Sequence, residues 1–583
     1  MMKQTVAILL AMQLLPSQAD SAETSLRVQH RRPTAAVLID GGSRLCVANR
    51  RSGTLSLVNI AARSVSEKQI GQQLSDIVAM PGSDRLLVSD FAGGTVIVVK
   101  HSADGLQIVD RVDVAAFPES IAVNEKGNFV CVASLWSRRL TILSRAPSVS
   151  SEDVGLKKLH EIDLPFAPRA MAFVDSTRVV VADSFGGRLT VVDCVAGSKT
   201  AEHELPVHNV RDLTVGNDGR VYLTCQRLNP KGYADSEDIH WGILIENEIL
   251  AIDIAVLIGG DGQRSLNPER ISLGRPGEGA GDPGAVLVTP EKLVVTLAGT
   301  NELAIVDRDG VRESRVATGG RPLDVVHVED TNRVFVVNSM SDSVSIVDLM
   351  GNRPVDTISL GPSPSLGMVE RGEAAFFNAT LSHESWMSCH SCHTDGHTNN
   401  GLADTLGDGD FGDAKRVPTL LGVWSTGPWA WNGSQNQLHG QIRKSLSSTM
   451  HASELDDDLI TDLTAYVTKL ERPPSVAVAR GKGPHPTVEY KAREIFEAAG
   501  CATCHNGFTS YTTDDVFDVG LSDAHGNSHF NPPSLSGVSQ RDRLFHDGRA
   551  RSLEDVLIRF DHPSKDALSK RQRKVLIAFL RAL

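Results

Sequence analysis

The sequence predicts a multidomain protein: an all-β seven-bladed propeller at 26–360, followed by two mainly α modules at 362–472 and 488–583. Three observations carry this expectation. A strand pattern recurs seven times in the first part of the chain. The breaker run Gly361-Pro362-Ser363-Pro364 ends it, and apolar residues beyond it recur at helical spacing. One pentapeptide pattern occurs twice, as Cys389-His390-Ser391-Cys392-His393 and as Cys501-Ala502-Thr503-Cys504-His505, once in each module.

At 583 residues the chain is too long for a single core. A net charge of −13 argues against a nucleic-acid or anionic-membrane surface. Lys3 followed by the apolar run Thr5 to Leu15, with small residues at Ala19 and Ala22, reads as a cleavable export signal over 1–22. The run is too short for a bilayer anchor, and no later stretch is long and apolar enough to span. The expected location is therefore the periplasm or another exported compartment.

Within 26–360 the repeat is an apolar strand, a turn and a second strand ending near V-D. Leu45 to Asn49 with Leu55 to Asn59 is one copy, and Val334 to Asn338 with Val344 to Asp348 is the last. Copies end at Asn59, Lys100, Ser144, Asp193, Asp253, Asp307 and Asp348, in steps of 41 to 60 residues, the length of a four-stranded blade. The fifth copy carries an insertion, Gln226 to Asn247, that holds Trp241 and is a contact candidate. Cys46, Cys131, Cys194 and Cys225 lie in strand-like runs and read as small core residues. Val336-Val337-Asn338 with Ser343 to Asp348, then Ile358-Ser359-Leu360-Gly361, resembles the YVTN-type propeller family, which implies architecture and not activity.

The pentapeptides read C-x-x-C-H, the attachment signature of c-type haem. Two thiols add across the vinyl groups, and the histidine reaches the iron. Cys389, Cys392, Cys501 and Cys504 are thus the expected attachment points of two covalent c-type haems, with His393 and His505 as proximal ligands. Helical patterns approach each motif, at Val369 to Asn378 and Tyr490 to Phe496, and follow it, at Leu455 to Leu470 and Leu568 to Leu583. The segment 473–487, rich in Pro, Gly and Lys, reads as a linker. For the sixth iron position, the first module offers Met450, with His397 and His451 as alternatives. The second offers His525, His529, His546 or His562, or leaves the position open, and His562 is the ligand taken with Met450. No catalytic residue is named by the pattern.

Arg416 to Val423 with Trp429 to Gly433, and Asn531 to Val538 with Leu544 to Gly548, resemble the P-[ST]-L-x-x-V…HDG pattern of the di-haem cytochrome c peroxidases, which include MauG-like enzymes. The resemblance implies two haems in electronic contact. It also implies a catalytic glutamine, matched by Gln441, and an axial Met or Tyr where this chain has Phe560. The family's acidic partner falls near Thr449 to His451, where no carboxylate stands and Glu454 is nearest; Trp431-Asn432-Gly433 replaces W-D-G. Related enzymes hold calcium between the haems, for which Asp404 to Asp413 supplies oxygen ligands without a closing glutamate. Arg541, Arg543, Arg549 and Arg551 are candidates to pair haem propionates. The expected function is that of an exported di-haem c-type cytochrome carrying out electron transfer, with peroxidase-type oxidoreductase activity at whichever haem is open. Its partner would be a redox protein or a small-molecule oxidant. The alternative is a propeller that binds a ligand or partner while the haems sense or stabilise.

Overall fold

The computed structural model describes residues 29–145, 155–259, 266–328, 331–406, 409–483, 485–506, 510–562 and 568–583; the export signal read over 1–22 lies outside them. Seven antiparallel four-stranded sheets, each made of consecutive strands, occupy 33–69, 74–113, 118–163, 168–204, 208–273, 283–317 and 322–359. These are the seven blades the repeat predicts.

Blade one shows why the sequence pattern was readable. Its strands are Pro33–Ile39, Arg44–Asn49, Thr54–Asn59 and Ser64–Gln69. In the second strand, Leu45 and Val47 pack against Val337 and Ile346 of blade seven, while Cys46 and Ala48 pack against Ile77 and Val88 of blade two. Successive side chains point to opposite faces, and each face meets a neighbouring blade. The middle of the strand, Leu45 to Ala48, is therefore apolar on both faces. The outer strand, Ser64–Gln69, has mostly exposed residues and carries little pattern.

The ring closes through side chains on backbone. The first strand of blade one lies beside that of blade seven, and the Ala36 N–H donates to Asp324 at 2.8 Å. Asp76 accepts from the Ile121 N–H at 2.8 Å, and Asp212 accepts from the Val286 N–H at 2.9 Å, in the same manner. Burial raises all three carboxyls, Asp76 to about 7 and Asp324 to about 6, against the pull of these hydrogen bonds. Buried Cys131 and Cys194, in adjacent blades, come within 3.5 Å as free thiols.

Blade five departs from the others. Its two middle strands, Arg220–Leu228 and Ile245–Asp253, run nine residues each, so the insertion expected over 226–247 shortens to a loop at 229–244. That loop carries the short helix α1 (Ser236–His240), capped by the Asp235 carboxylate accepting from the Asp238 N–H.

Beyond the propeller, α2 (Met368–Phe376), α3 (Leu438–Lys444) and α4 (Asp457–Lys469) enclose the first motif. Helices α2 and α4 touch at Gly372, where an added Cβ would stand 1.9 Å from the Asp462 carbonyl oxygen. Around the second motif, α5 (Pro486–Ala498) packs on α6 (Lys570–Leu580). The segment read as a linker is tied down. Ser475 Oγ donates to the Ala582 carbonyl, and Arg480 Nε to the Ser137 carbonyl of blade three.

Both halves rest on one face of the propeller, formed by the starts of the first strands and the turns between second and third strands. Arg32 and Arg51 bond Glu373 at 2.7 and 2.9 Å, while Arg138 and Arg188 bond Asp542.

Candidate functional site

The first pentapeptide is one helical turn, Cys389–Cys392, capped reciprocally by Ser388 and Ser391. Those two hydroxyls also donate to Asp282 at 2.5 and 2.6 Å, which anchors the turn to blade six. From blade five, His208 Nε2 donates to the Ser391 carbonyl at 2.9 Å. Burial lowers His208 to about 4, so it stays neutral. Just past the motif, Asp395 bridges Arg169 at 2.8 Å and Arg211 at 2.9 Å. Burial alone would raise its carboxyl, but the two guanidinium groups hold it well below the usual carboxylate range. The blade-five loop completes the dock: Trp386 and Met387 are buried among Ala234, Ile239 and Leu244. Trp241 itself is 58% exposed and stays outside that contact.

Each closing histidine is prepared in the same way. His393 Nδ1 is 2.9 Å from the Pro418 carbonyl, and His505 Nδ1 is 3.2 Å from that of Tyr511. A carbonyl acceptor fixes the proton on Nδ1 and leaves the Nε2 lone pair for a metal. Burial lowers both imidazoles to about 4, which keeps that lone pair unprotonated.

The segments read as supplying the sixth ligands differ. After α3, a π-turn at Ser445–Thr449 delivers Met450, whose N–H bonds the Ser445 carbonyl, while the Ala452 N–H bonds that of Leu446. In the second half, a π-turn at Asp555–Arg559 delivers Phe560, with the same bonds from Phe560 to Asp555 and from His562 to Val556. Met450 and Phe560 are therefore structural equivalents, as are Ala452 and His562. Met450 is buried in the apolar cluster that includes Phe376, Leu446 and Cys389. The His562 ring lies 6.4 Å, centroid to centroid, from His505, and its Nδ1 is buried without a hydrogen-bond partner. Two imidazoles on one iron, with metal–nitrogen bonds of about 2.0–2.1 Å, would put ring centroids about 6.3 Å apart.

The other histidines are committed elsewhere. His397 bonds Thr419 Oγ1 through Nδ1 and the Gln540 carbonyl through Nε2, while His451 Nε2 bonds the Ala234 carbonyl. His546 stacks on Phe530 at 4.2 Å, and His525 and His529 are exposed. Gln441 leaves its Oε1 buried and unpartnered, whereas Glu454 is at the surface.

Two buried arginines stand out. Arg416, which opens the segment resembling the peroxidase pattern, bonds the Phe545 carbonyl at 3.1 Å and lies over Trp431 at 5.0 Å. Arg541 bonds the Ser536 carbonyl at 3.0 Å and leaves Nε unpartnered. Burial lowers Arg416 to about 9 and Arg541 to about 10. Among the described residues neither meets a carboxylate. An unpaired buried guanidinium is costly, and haem propionates are anions of the right geometry to compensate it. Arg549 and Arg551 instead pair with Asp547 and Glu204 near the surface. Trp431 sits at the seam of the two halves, its Nε1 donating to the Arg416 carbonyl and its own carbonyl accepting from Asn531.

Among the described residues, the acidic loop does not gather as a calcium cage. Asp404 accepts from the Gly412 and Asp413 N–H groups, and Asp413 pairs with Lys415. Asp408 lies outside the described residues. A cavity of about 940 Å³ opens between the propeller and the second half, lined by Asp183, Arg188, His208, Arg541 and Leu553 among others.

The chain was compared with known proteins. The sequence model of the di-haem cytochrome c peroxidase family matches residues 367–477, a span holding the first pentapeptide and Met450. The chain is similar to methylamine utilization protein MauG of Methylorubrum extorquens, with 25% identity covering 37% of this chain and 77% of that protein. It is also similar to cytochrome c551 peroxidase of Nitrosomonas europaea, with 25% identity covering 40% and 85%. Among solved structures, hydrazine synthase of Kuenenia stuttgartiensis aligns with a TM-score of 0.47 and 17% identity, over 57% of this chain and 99% of that one. The chain thus joins a seven-bladed β-propeller to a region, residues 367–477, that matches the sequence model of the di-haem cytochrome c peroxidase family.

Proposed function

We propose that this protein is an exported di-haem c-type cytochrome that transfers electrons to or from a redox partner protein or a small-molecule oxidant. Cys389 and Cys392 would hold the first haem, between His393 and Met450. Cys501 and Cys504 would hold the second, between His505 and His562. The two modules would be 362–472 and 488–583, joined through 473–487. The observation that carries this reading is the His505–His562 pair, whose 6.4 Å ring separation suits one iron between two imidazoles.

When bound, haem supplies one-electron redox chemistry. The protein's own groups set its terms. The carbonyls of Pro418 and Tyr511 orient the proximal imidazoles and raise their basicity. Arg416 and Arg541 would compensate the charge of haem propionates away from water. Met450 as a ligand to the first haem would favour a higher potential there than His562 would favour at the second. Trp431 occupies the seam that electrons would cross. Among the described residues no helix is long and apolar enough to cross a membrane.

Peroxidase-type chemistry at the first haem is the second reading, favoured by the buried, unpartnered Gln441 oxygen. Carbon monoxide binding to the reduced, full-length holoprotein separates the two. Electron transfer through six-coordinate irons predicts no binding in the wild type and binding at one haem in His562→Ala. Binding by the wild type at the first haem favours the peroxidase reading.

A further inference from the structure

Away from the haem positions, the loop before the first pentapeptide meets the blade-five loop at three metal-ligating side chains. His240, the last residue of α1, sets Nδ1 3.0 and 2.8 Å from the two Glu384 carboxylate oxygens. His383 Nε2 stands 3.7 Å from Glu384 Oε1. One ligand atom from each of the three lies within 4.8 Å of the others. A tetrahedral ion with bonds of about 2.0–2.1 Å separates its ligands by about 3.4 Å, so the widest pair would close by at most about 1.4 Å to share one.

The surroundings are built to hold Glu384 in place. Glu384 and Ser385 both adopt left-handed backbone, at φ 53° and 65°, a strained pair for residues with a Cβ. The Gly277 N–H donates to Glu384 Oε2 at 3.0 Å, and the Gly279 N–H to the Glu384 backbone carbonyl at 2.7 Å. Such second contacts orient a metal-binding carboxylate. All three side chains are partly exposed, which leaves an entry path. A plain histidine–glutamate hydrogen bond would require neither the second imidazole nor the strained turn.

We propose that His240, His383 and Glu384 form a binding site for a divalent transition-metal ion of the zinc or copper class, with solvent in the remaining position. Two imidazoles and one carboxylate suit such ions and not calcium or magnesium. The ion ties the blade-five loop to the chain entering the first pentapeptide, across 144 residues of sequence. It steadies the seat of Trp386 and Met387. This site is independent of the haem reading, because zinc is counted separately from iron.

The test uses the full-length holoprotein, treated with chelator, incubated with zinc chloride and desalted, with metals counted by mass spectrometry. The expected result is one zinc per chain above the haem iron, lost in His240→Ala and in His383→Ala. His327→Ala, at a histidine on blade seven, should keep it. Zinc should also raise the unfolding midpoint of the wild type and not of Glu384→Gln, which keeps the shape of the turn. No retained zinc in the wild type, or equal retention in His240→Ala and His383→Ala, overturns the proposal.

Discussion

The two halves that follow the propeller are built to one plan and finished differently. Each has a helix leading to C-x-x-C-H, a backbone carbonyl on the proximal imidazole, and a π-turn on the far side. At matched positions after that turn, the first half has Met450 and Ala452 where the second has Phe560 and His562. In the proposed reading the ligand role moves two residues along the chain without rebuilding the turn. Docking differs as well. The first pentapeptide is buried against the propeller through Asp282, His208 and the Asp395 ion pairs. In the second, Thr503 is exposed, and the propeller is reached through Asp542, from the loop after Gln540. The two halves therefore differ in the residues after a shared turn and in how far the propeller shields each motif.

The largest expected effect breaks the comparison outright. Replacing Cys501 and Cys504 by alanine should remove one covalent haem per chain, read as a loss of one haem mass and half the haem absorbance, with the first half unchanged. Next comes Gly372→Ala. The new methyl meets the Asp462 carbonyl at 1.9 Å, and overpacking of this kind costs about 3 kcal/mol. Chemical denaturation should show the first half destabilised while the second keeps its reduced spectrum. Asp395→Asn leaves Arg211 buried without its carboxylate, while Arg169 keeps Glu119, a loss of about 3 kcal/mol in docking of the first half. Asp542→Asn should do the same to the second half alone, and limited proteolysis distinguishes them. Met450→His makes the halves alike, and a redox titration should show the higher potential falling by roughly 100 mV or more, toward the lower one.

The smallest effect lies in the propeller. Asp76 and Asp324 have carboxyls raised to about 7 and about 6 in the fold. A carboxyl raised by folding binds its proton more tightly in the native state. It therefore adds stability at low pH that is lost as pH rises from about 4 to about 7. The unfolding midpoint of the propeller should fall over that window, and less steeply in Asp76→Asn.

What the sequence made legible was local. The pentapeptides are contiguous, and the middle strands of each blade are apolar on both faces, so both could be read directly. The inner first strands and outer fourth strands left weaker signals, because the fourth strands are largely solvated. Ring closure was not legible, since Asp324 and Ala36 are 288 residues apart. Arg416 gave no hint of burial, because its charge is explained only by the distant Phe545 carbonyl and Trp431. His397 looked available for iron until the fold placed both its nitrogens on Thr419 and Gln540. The histidine–glutamate cluster was hidden for the same reason, because His240 belongs to the propeller and Glu384 to the chain beyond it.

The most direct test is near-infrared magnetic circular dichroism of the oxidised, full-length holoprotein, which reports the axial pair at each ferric iron. The account predicts two low-spin signals of equal weight, one from a histidine–methionine pair and one from a pair of histidines. The second should vanish in His562→Ala. A high-spin signal from the second haem, or a histidine pair that survives the loss of His562, would contradict it.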